Sequence, residues 1–266
     1  MLKLLVSGAL GYFIYKKYSS SRNEGSSSEP EPASESSGGE SSPVFKFASG
    51  LPDCCTSNPE HYKVVAEIPG ARLVEMELKP GEADKEHDHP EHSMYVVQGA
   101  KMKLTPPPGA TEGSAELELP TGAAPVIPAG KHVVENVGTT TAKIVFVEPY
   151  PTCKMCGTVA GYRSPFDVAP TCYAKLAEND EWVTGMLTMK PGEQDPVHHH
   201  RDHLIYFLEG DQVTIYPGGD ESAAMDVPLH CPMGVPAPMS APPFAYHSLK
   251  NTGTKAIKAV FFEMKN

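Results

Sequence analysis

Positive charge is scarce in this chain. Against 33 Asp and Glu stand only 22 Lys and Arg, a formal net charge of -11 over 266 residues. The deficit excludes the basic patch through which proteins meet nucleic acid. Long apolar runs are also missing. The N-terminal stretch LLVSGALGYFIY, residues 4–15, falls short of the roughly 20 residues a membrane-spanning helix needs. No Asn-x-Ser/Thr sequon occurs, and the six cysteines (Cys54, Cys55, Cys153, Cys156, Cys172, Cys231) lack the dense spacing of a secreted disulfide framework. Both absences point to a reducing compartment. Cys153 and Cys156 form a lone CxxC, which lacks the two further ligands of a zinc site and reads as a pair of linker thiols. Stretches with helical periodicity are few, and no Ser-His-Asp grouping or phosphate-binding loop is visible.

What the ends contain is suggestive of placement. The apolar segment within residues 1–18 carries Lys16, Lys17 and Arg22 on its C-terminal side and no small-residue cleavage site. A short anchor with such a flank leaves the rest of the chain in the cytosol. It resembles outer-mitochondrial-membrane signal anchors; a soluble cytosolic chain is the alternative. Residues 19–43 are rich in Ser, Glu, Gly and Pro with almost nothing to bury, the composition of a disordered tether.

Beyond residue 44 the chain repeats itself. At a constant offset of 111, Pro59 meets Pro170, Tyr62 meets Tyr173, and Lys79-Pro80-Gly81 meets Lys190-Pro191-Gly192. Tyr95 meets Tyr206 and Gly99 meets Gly210. Two copies of one unit follow, at roughly 44–152 and 153–266. Each reads as short strands: RLVEMELKPG and EWVTGMLTMKPG are apolar-alternating runs stopped by Pro-Gly, and SMYVVQG and LIYFLEG are apolar runs ending in Gly. The expectation is an all-β fold of sandwich or barrel type.

Eight of the eleven histidines keep register between the copies: His87, His89, His92 and His132 in the first, His198, His200, His203 and His247 in the second. Solvated histidines have no reason to do so. Four buried imidazoles per unit would otherwise need many polar partners. Neutral imidazole is the commonest metal ligand, and residues i and i+2 of a strand face one way. His87 with His89, and His198 with His200, therefore read as chelating pairs, with His132 and His247 facing them from a later strand.

This layout resembles the cupin superfamily over nearly everything after residue 44. Gly81, five residues, His87-Asp-His89 fits the first cupin motif, as does Gly192, five residues, His198-His-His200. PAGKHVVEN supplies Pro128, Gly130, His132 and Asn136 of the second motif; YHSLKN keeps His247 and Asn251, while APMSAPPFA replaces the Pro-x-Gly turn. The resemblance implies two tandem jelly-roll barrels, a bicupin. Where the family usually has glutamate, this chain has His92 and His203. On a regular strand Glu91 and Asp202 have the right parity instead; a turn or bulge at Pro90-Glu91 would bring His92 inward. Both ligand sets stay open at this point.

The resemblance implies one divalent transition ion per barrel, Fe(II) ahead of Mn, Ni, Cu and Zn, and a small-molecule substrate that is anionic or oxygen-bearing. By analogy with cupins of three or four histidines, the function is a non-haem oxidoreductase of dioxygenase type. The alternatives are a non-catalytic metal-binding sensor, store or scaffold, and a Zn-, Mn- or Ni-dependent isomerase or lyase. Candidate pocket residues beside the ion are Tyr95, Tyr206, Gln98, Tyr246 and Arg201, against the plainer reading of the tyrosines as barrel aromatics and of Arg201 as a solvated strand-end charge. A homodimer through sheet edges is a further expectation.

Overall fold

In a computed structural model the chain is described over residues 45–106, 113–151, 161–237 and 246–265. The apolar segment 1–18, the tether 19–43 and the Cys153/Cys156 pair lie outside the described residues. Among those described, no helix is long and apolar enough to cross a membrane.

Among the described residues, nine strands form the first copy: β1 (Tyr62–Ile68), β2 (Ala71–Leu78), β3 (His87–His89), β4 (His92–Gln98), β5 (Ala100–Thr105), β6 (Ala115–Leu119), β7 (Val126–Ile127), β8 (Gly130–Asn136) and β9 (Ala142–Pro149). Nine form the second: β10 (Tyr173–Glu178), β11 (Trp182–Met189), β12 (His198–His199), β13 (His203–Glu209), β14 (Gln212–Pro217), β15 (Met225–Pro228), β16 (Met233–Ala237), β17 (Tyr246–Lys250) and β18 (Ile257–Met264). Each copy makes a five-stranded and a four-stranded antiparallel sheet. Their orders are β1-β2-β9-β4-β7 with β3-β8-β5-β6, and β10-β11-β18-β13-β16 with β12-β17-β14-β15. The sheet orders match strand for strand. Even the irregularities repeat: β1 slips against β2 between Val64 and Ala66, and β10 slips against β11 between Lys175 and Ala177.

The Pro-Gly turns stop β2 and β11 as their sequence requires. Gly81 and Gly192 both have φ of +80°, a left-handed conformation that costs an L side chain about 1–2 kcal/mol. Asn136 closes the same corner from below. Its buried amide donates to the Leu78 and Thr140 carbonyls and accepts from the Gly138 amide. Asn251 does the same work with Met189, Lys255 and Gly253.

The five-stranded sheets are buried on both faces. Val74, Met76 and Leu78 of β2 point into the first barrel with Val96, Ile144 and Phe146. On the opposite face, Leu73, Tyr95, Val145 and Val147 pack against Trp182, Leu204, Tyr206, Val260 and Phe262 of the second copy. That is why β4, β9, β13 and β18 read as continuous apolar runs rather than alternating ones: neither face meets water. Across this seam Asn179 Nδ2 donates to Glu91 Oε1 at 2.6 Å, and the Tyr206 hydroxyl donates to Glu75.

Candidate metal centres

Strand pairing alone assembles three histidines in each barrel. β3 runs antiparallel to β8 with His87 directly opposite His132, and β12 pairs β17 with His198 opposite His247. His89 and His200 lie two positions along, on the same face. Nitrogens of His87, His89 and His132 all come within 4.8 Å of one another, and so do those of His198, His200 and His247.

His92 and His203 approach each cluster from the next strand, outside the groups of three whose nitrogens all lie within 4.8 Å of one another. Regular pairing breaks between β3 and β4 at Pro90 and Glu91, which resets the parity. His92 is buried, with its ring centroid 4.8 Å from that of His89; His203 lies 4.5 Å from His200. Glu91 is exposed and turned to Asn179 across the seam. Of the two sequence alternatives in the first barrel, the inward side chain is therefore the histidine.

Hydrogen bonds fix how the rings present themselves. Nδ1 of His87 lies 2.8 Å from the Lys85 carbonyl, that of His92 3.0 Å from Pro90, that of His198 2.9 Å from Pro196 and that of His203 2.8 Å from Arg201. Nδ1 of His89 meets Glu148 Oε1 at 2.6 Å, and Nδ1 of His200 meets Glu263 Oε2 at 2.7 Å. Each of these partners is an acceptor and takes the Nδ1 proton, although Asn58 Nδ2 also lies 3.3 Å from His87 Nδ1; the Nε2 atoms of His87, His89, His198 and His200 are then left with lone pairs that face one another in pairs. Burial then keeps the rings neutral. It pushes His92 and His198 down to about 4 and His132 to about 2, and His89 and His200 well below the ordinary imidazole value.

Neutral rings with inward lone pairs should repel, yet Nε2 of His87 and His89 are 2.8 Å apart, and those of His198 and His200 3.1 Å. A shared cation resolves the conflict. Two nitrogens each about 2.1 Å from an ion are roughly 3.0 Å apart at a right angle and about 3.4 Å apart in a tetrahedron. The observed spacings suit adjacent corners of an octahedron or square, so the donor set fits a divalent transition ion.

Behind His89 and His200 stand two groups that the sequence reading passed over. Glu148 and Glu263 are buried carboxylates on β9 and β18. Each is a lone acid inside an apolar run, VFVEP and VFFEM, and that coincidence in both copies was the available signal. Their surroundings differ. Glu148 receives Arg72 at 2.6 Å, and Arg72 also holds Asp53 at 2.8 Å. In the second copy Val183 occupies the position of Arg72. Glu263 instead accepts from the Tyr162 hydroxyl, with Arg201 3.8 Å away. Under His87 and His198 lies a second conserved-in-register pair: Tyr62 donates to Asp84 at 2.6 Å, and Tyr173 to Asp195 at 2.8 Å.

The expected pocket residues fare differently. Tyr95 and Tyr206 point away from the histidine clusters into the seam, because they have the opposite parity to His92 and His203. Gln98 and Tyr246 are exposed. Arg201 lies over the Tyr162 ring, 4.5 Å from its centroid, and reaches the site only through Glu263. The first barrel instead opens a cavity of about 170 Å³ lined by His89, His92 and His132 together with Tyr62, Phe146 and apolar side chains.

Among solved structures, the fold is similar to that of AerE from Microcystis aeruginosa, with 12% identity and a TM-score of 0.52 over 77% of this chain and 93% of that one. A cupin 2 conserved barrel domain protein from Leptotrichia buccalis matches at 13% identity and 0.45, over 77% and 88%. Oxalate decarboxylase from Bacillus subtilis matches at 15% and 0.49, over 76% and 70%. Identities this low speak to fold alone. No protein-family model and no curated protein sequence matches the chain. Histidines seated on equivalent strands of two jelly rolls of identical sheet order give the chain a cupin-like fold twice over.

Proposed function

We propose that this bicupin is a metal-dependent oxidoreductase of dioxygenase type that acts on a small molecule. Each barrel would hold one divalent transition ion, Fe(II) ahead of Mn, Ni, Cu and Zn. The ligands would be His87, His89, His92 and His132 in the first barrel and His198, His200, His203 and His247 in the second. The observation that carries the reading is the pair of inward Nε2 atoms, 2.8 and 3.1 Å apart, whose Nδ1 protons are already committed to acceptors. A redox-active ion bound there supplies the electron chemistry that dioxygen requires. The chain's own contribution is to keep rings neutral by burial, those of His89, His92 and His132 in the first barrel and of His198, His200 and His203 in the second, so the ion would retain its double charge for an oxygen-bearing substrate. Glu148 and Glu263 hold the Nδ1 protons of His89 and His200 and so fix ring orientation and basicity. The remaining expectations, a membrane tether through residues 1–18, cytosolic barrels and a second copy as partner, are part of the same proposal.

Protein made without affinity histidines and supplemented with metal should contain two transition ions per chain by elemental analysis. Well under one ion per chain removes the basis of the proposal. The Fe(II)-loaded chain should consume dioxygen only when a substrate is present. A panel of small oxygen-bearing compounds that elicits no uptake favours the non-catalytic reading. A fluorescent fusion to residues 1–43 tests the tether, since a diffuse cytosolic signal argues against it.

A further inference from the structure

A one-turn helix, Cys54–Ser57, precedes β1, and its first two residues are both cysteine. Cys54 is buried and Cys55 half-buried. Their sulfurs lie 3.9 Å apart. The second copy keeps the helix, as Pro165–Val168, with Ser164 as its N-cap where the first copy has Asp53. Pro165 and Phe166 stand there in place of the two thiols. The helix therefore forms without cysteines, and the pair belongs to the first copy alone.

Spacing decides what the two thiols can do together. Adjacent Cα atoms are about 3.8 Å apart, below the roughly 4.4 Å at which disulfides usually begin, and the sulfurs would have to close to about 2.05 Å. Sharing a third atom needs no such movement. Two sulfurs each about 2.3 Å from one ion stand roughly 3.8 Å apart at the tetrahedral angle. Charge permits it as well. Arg72 Nη2 lies 3.9 Å from Cys54 Sγ, but Asp53 and Glu148 both pair with that guanidinium. A divalent ion that displaces two thiol protons leaves the charge of the place unchanged. The half-buried Cys55 provides the way in from solvent.

We infer that Cys54 and Cys55 form a chelating site for one thiophilic centre, either a soft divalent ion or a trivalent arsenical, and that the second copy has no equivalent. Thiolate is the ligand such centres select. Cys54 Sγ, a Glu148 carboxylate oxygen and a His89 ring nitrogen all lie within 4.8 Å of one another, so the centre is held beside the first imidazole cluster. Its ligands are sulfur, and its binding does not require the imidazoles to hold an ion.

Phenylarsine oxide tests the pair, because it ignores imidazole and needs two thiols. Two As–S bonds form, the As=O oxygen leaves as water with the two thiol protons, arsenic stays trivalent and no oxidant is consumed. The probe is added to the reduced full chain carrying Cys153→Ser and Cys156→Ser, which removes the CxxC. Native mass spectrometry should then show one phenylarsenic adduct per chain, released by ethanedithiol but not by a monothiol. Cys55→Ser, at the half-buried position, should lower the affinity about 100-fold or more, because the second bond forms within one chelate. Cys172→Ser and Cys231→Ser should leave the affinity unchanged. Cadmium(II) should give ultraviolet thiolate-to-metal absorption that disappears in Cys55→Ser; the arsenical adduct without that absorption supports a site for trivalent centres only. No adduct, an adduct of full affinity in Cys55→Ser, or one mapped to Cys172 or Cys231 overturns the inference.

Discussion

Six of the clustered imidazoles, those of His87, His89, His92, His198, His200 and His203, have Nδ1 beside an acceptor, and single substitutions should separate that role from metal ligation. Glu148→Gln replaces a carboxylate beside His89 Nδ1 with a neutral amide. We expect metal affinity in the first barrel to fall about 10–100-fold while the second barrel is unaffected, as read by competition with a chromogenic chelator. His92→Ala should lower that affinity further than Glu91→Gln, because Glu91 points to Asn179 across the seam. An intact site in His92→Ala beside a lost one in Glu91→Gln would reverse the ligand assignment. Acid should act on the same rings. His92 and His198 titrate at about 4 when folded, against about 6.5 unfolded. Between those values the unfolded chain binds more protons, so stability falls as pH drops from about 6.5 towards 4. Asp195, raised by burial to about 6, opposes this together with Asp84, Glu148 and Glu263, which burial also raises, but the depressed imidazoles, those of His89, His92, His132, His198, His199, His200 and His203, are more numerous. The metal-free chain should therefore melt at a lower temperature at pH 4.5 than at pH 7; an equal or higher melting temperature contradicts it.

Strands carry the metal residues, and small features of those strands decide their aim. The break at Pro90-Glu91 turns His92 inward; without it, period-two alternation would present Glu91. In β11, Gly185 stands where β2 has Val74. A Cβ there would run into the Phe261 ring and meet Phe166 at 2.9 Å. Phe261 in turn packs against His200 and His203, with ring centroids 5.4 and 6.2 Å away. Gly185→Ala should thus destabilise the protein by about 1–3 kcal/mol in denaturant unfolding through overpacking, and should loosen metal binding in the second barrel only. Unchanged unfolding would mean that Phe261 can move without cost.

At the scale of the molecule, two similar barrels bury their five-stranded sheets against each other. The seam is apolar, with Leu73, Tyr95, Val145 and Val147 from the first barrel meeting Trp182, Leu204 and Phe262 from the second. Cut apart, each barrel would expose that face to water, and contiguous apolar patches of this kind drive association. Residues 44–152 expressed alone should accordingly dimerise or aggregate, as measured by light scattering after size exclusion. A monodisperse monomer would show that the seam is dispensable.

The sequence by itself determined the repeat, the all-β architecture and the eight histidines, because offsets and strand periodicity are written in one dimension. Gly81 and Gly192 could be placed at turns from Lys-Pro-Gly alone. Other features depended on which strands become neighbours. Glu148 and Glu263 became partners of His89 and His200 only once β9 and β18 lay beside β4 and β13. Tyr95 and Tyr206 read on sequence as barrel aromatics or pocket candidates, and strand parity places them in a seam that no single unit reveals. The cavity in the first barrel is likewise a sum of side-chain volumes from many strands, and only packing in three dimensions adds them together.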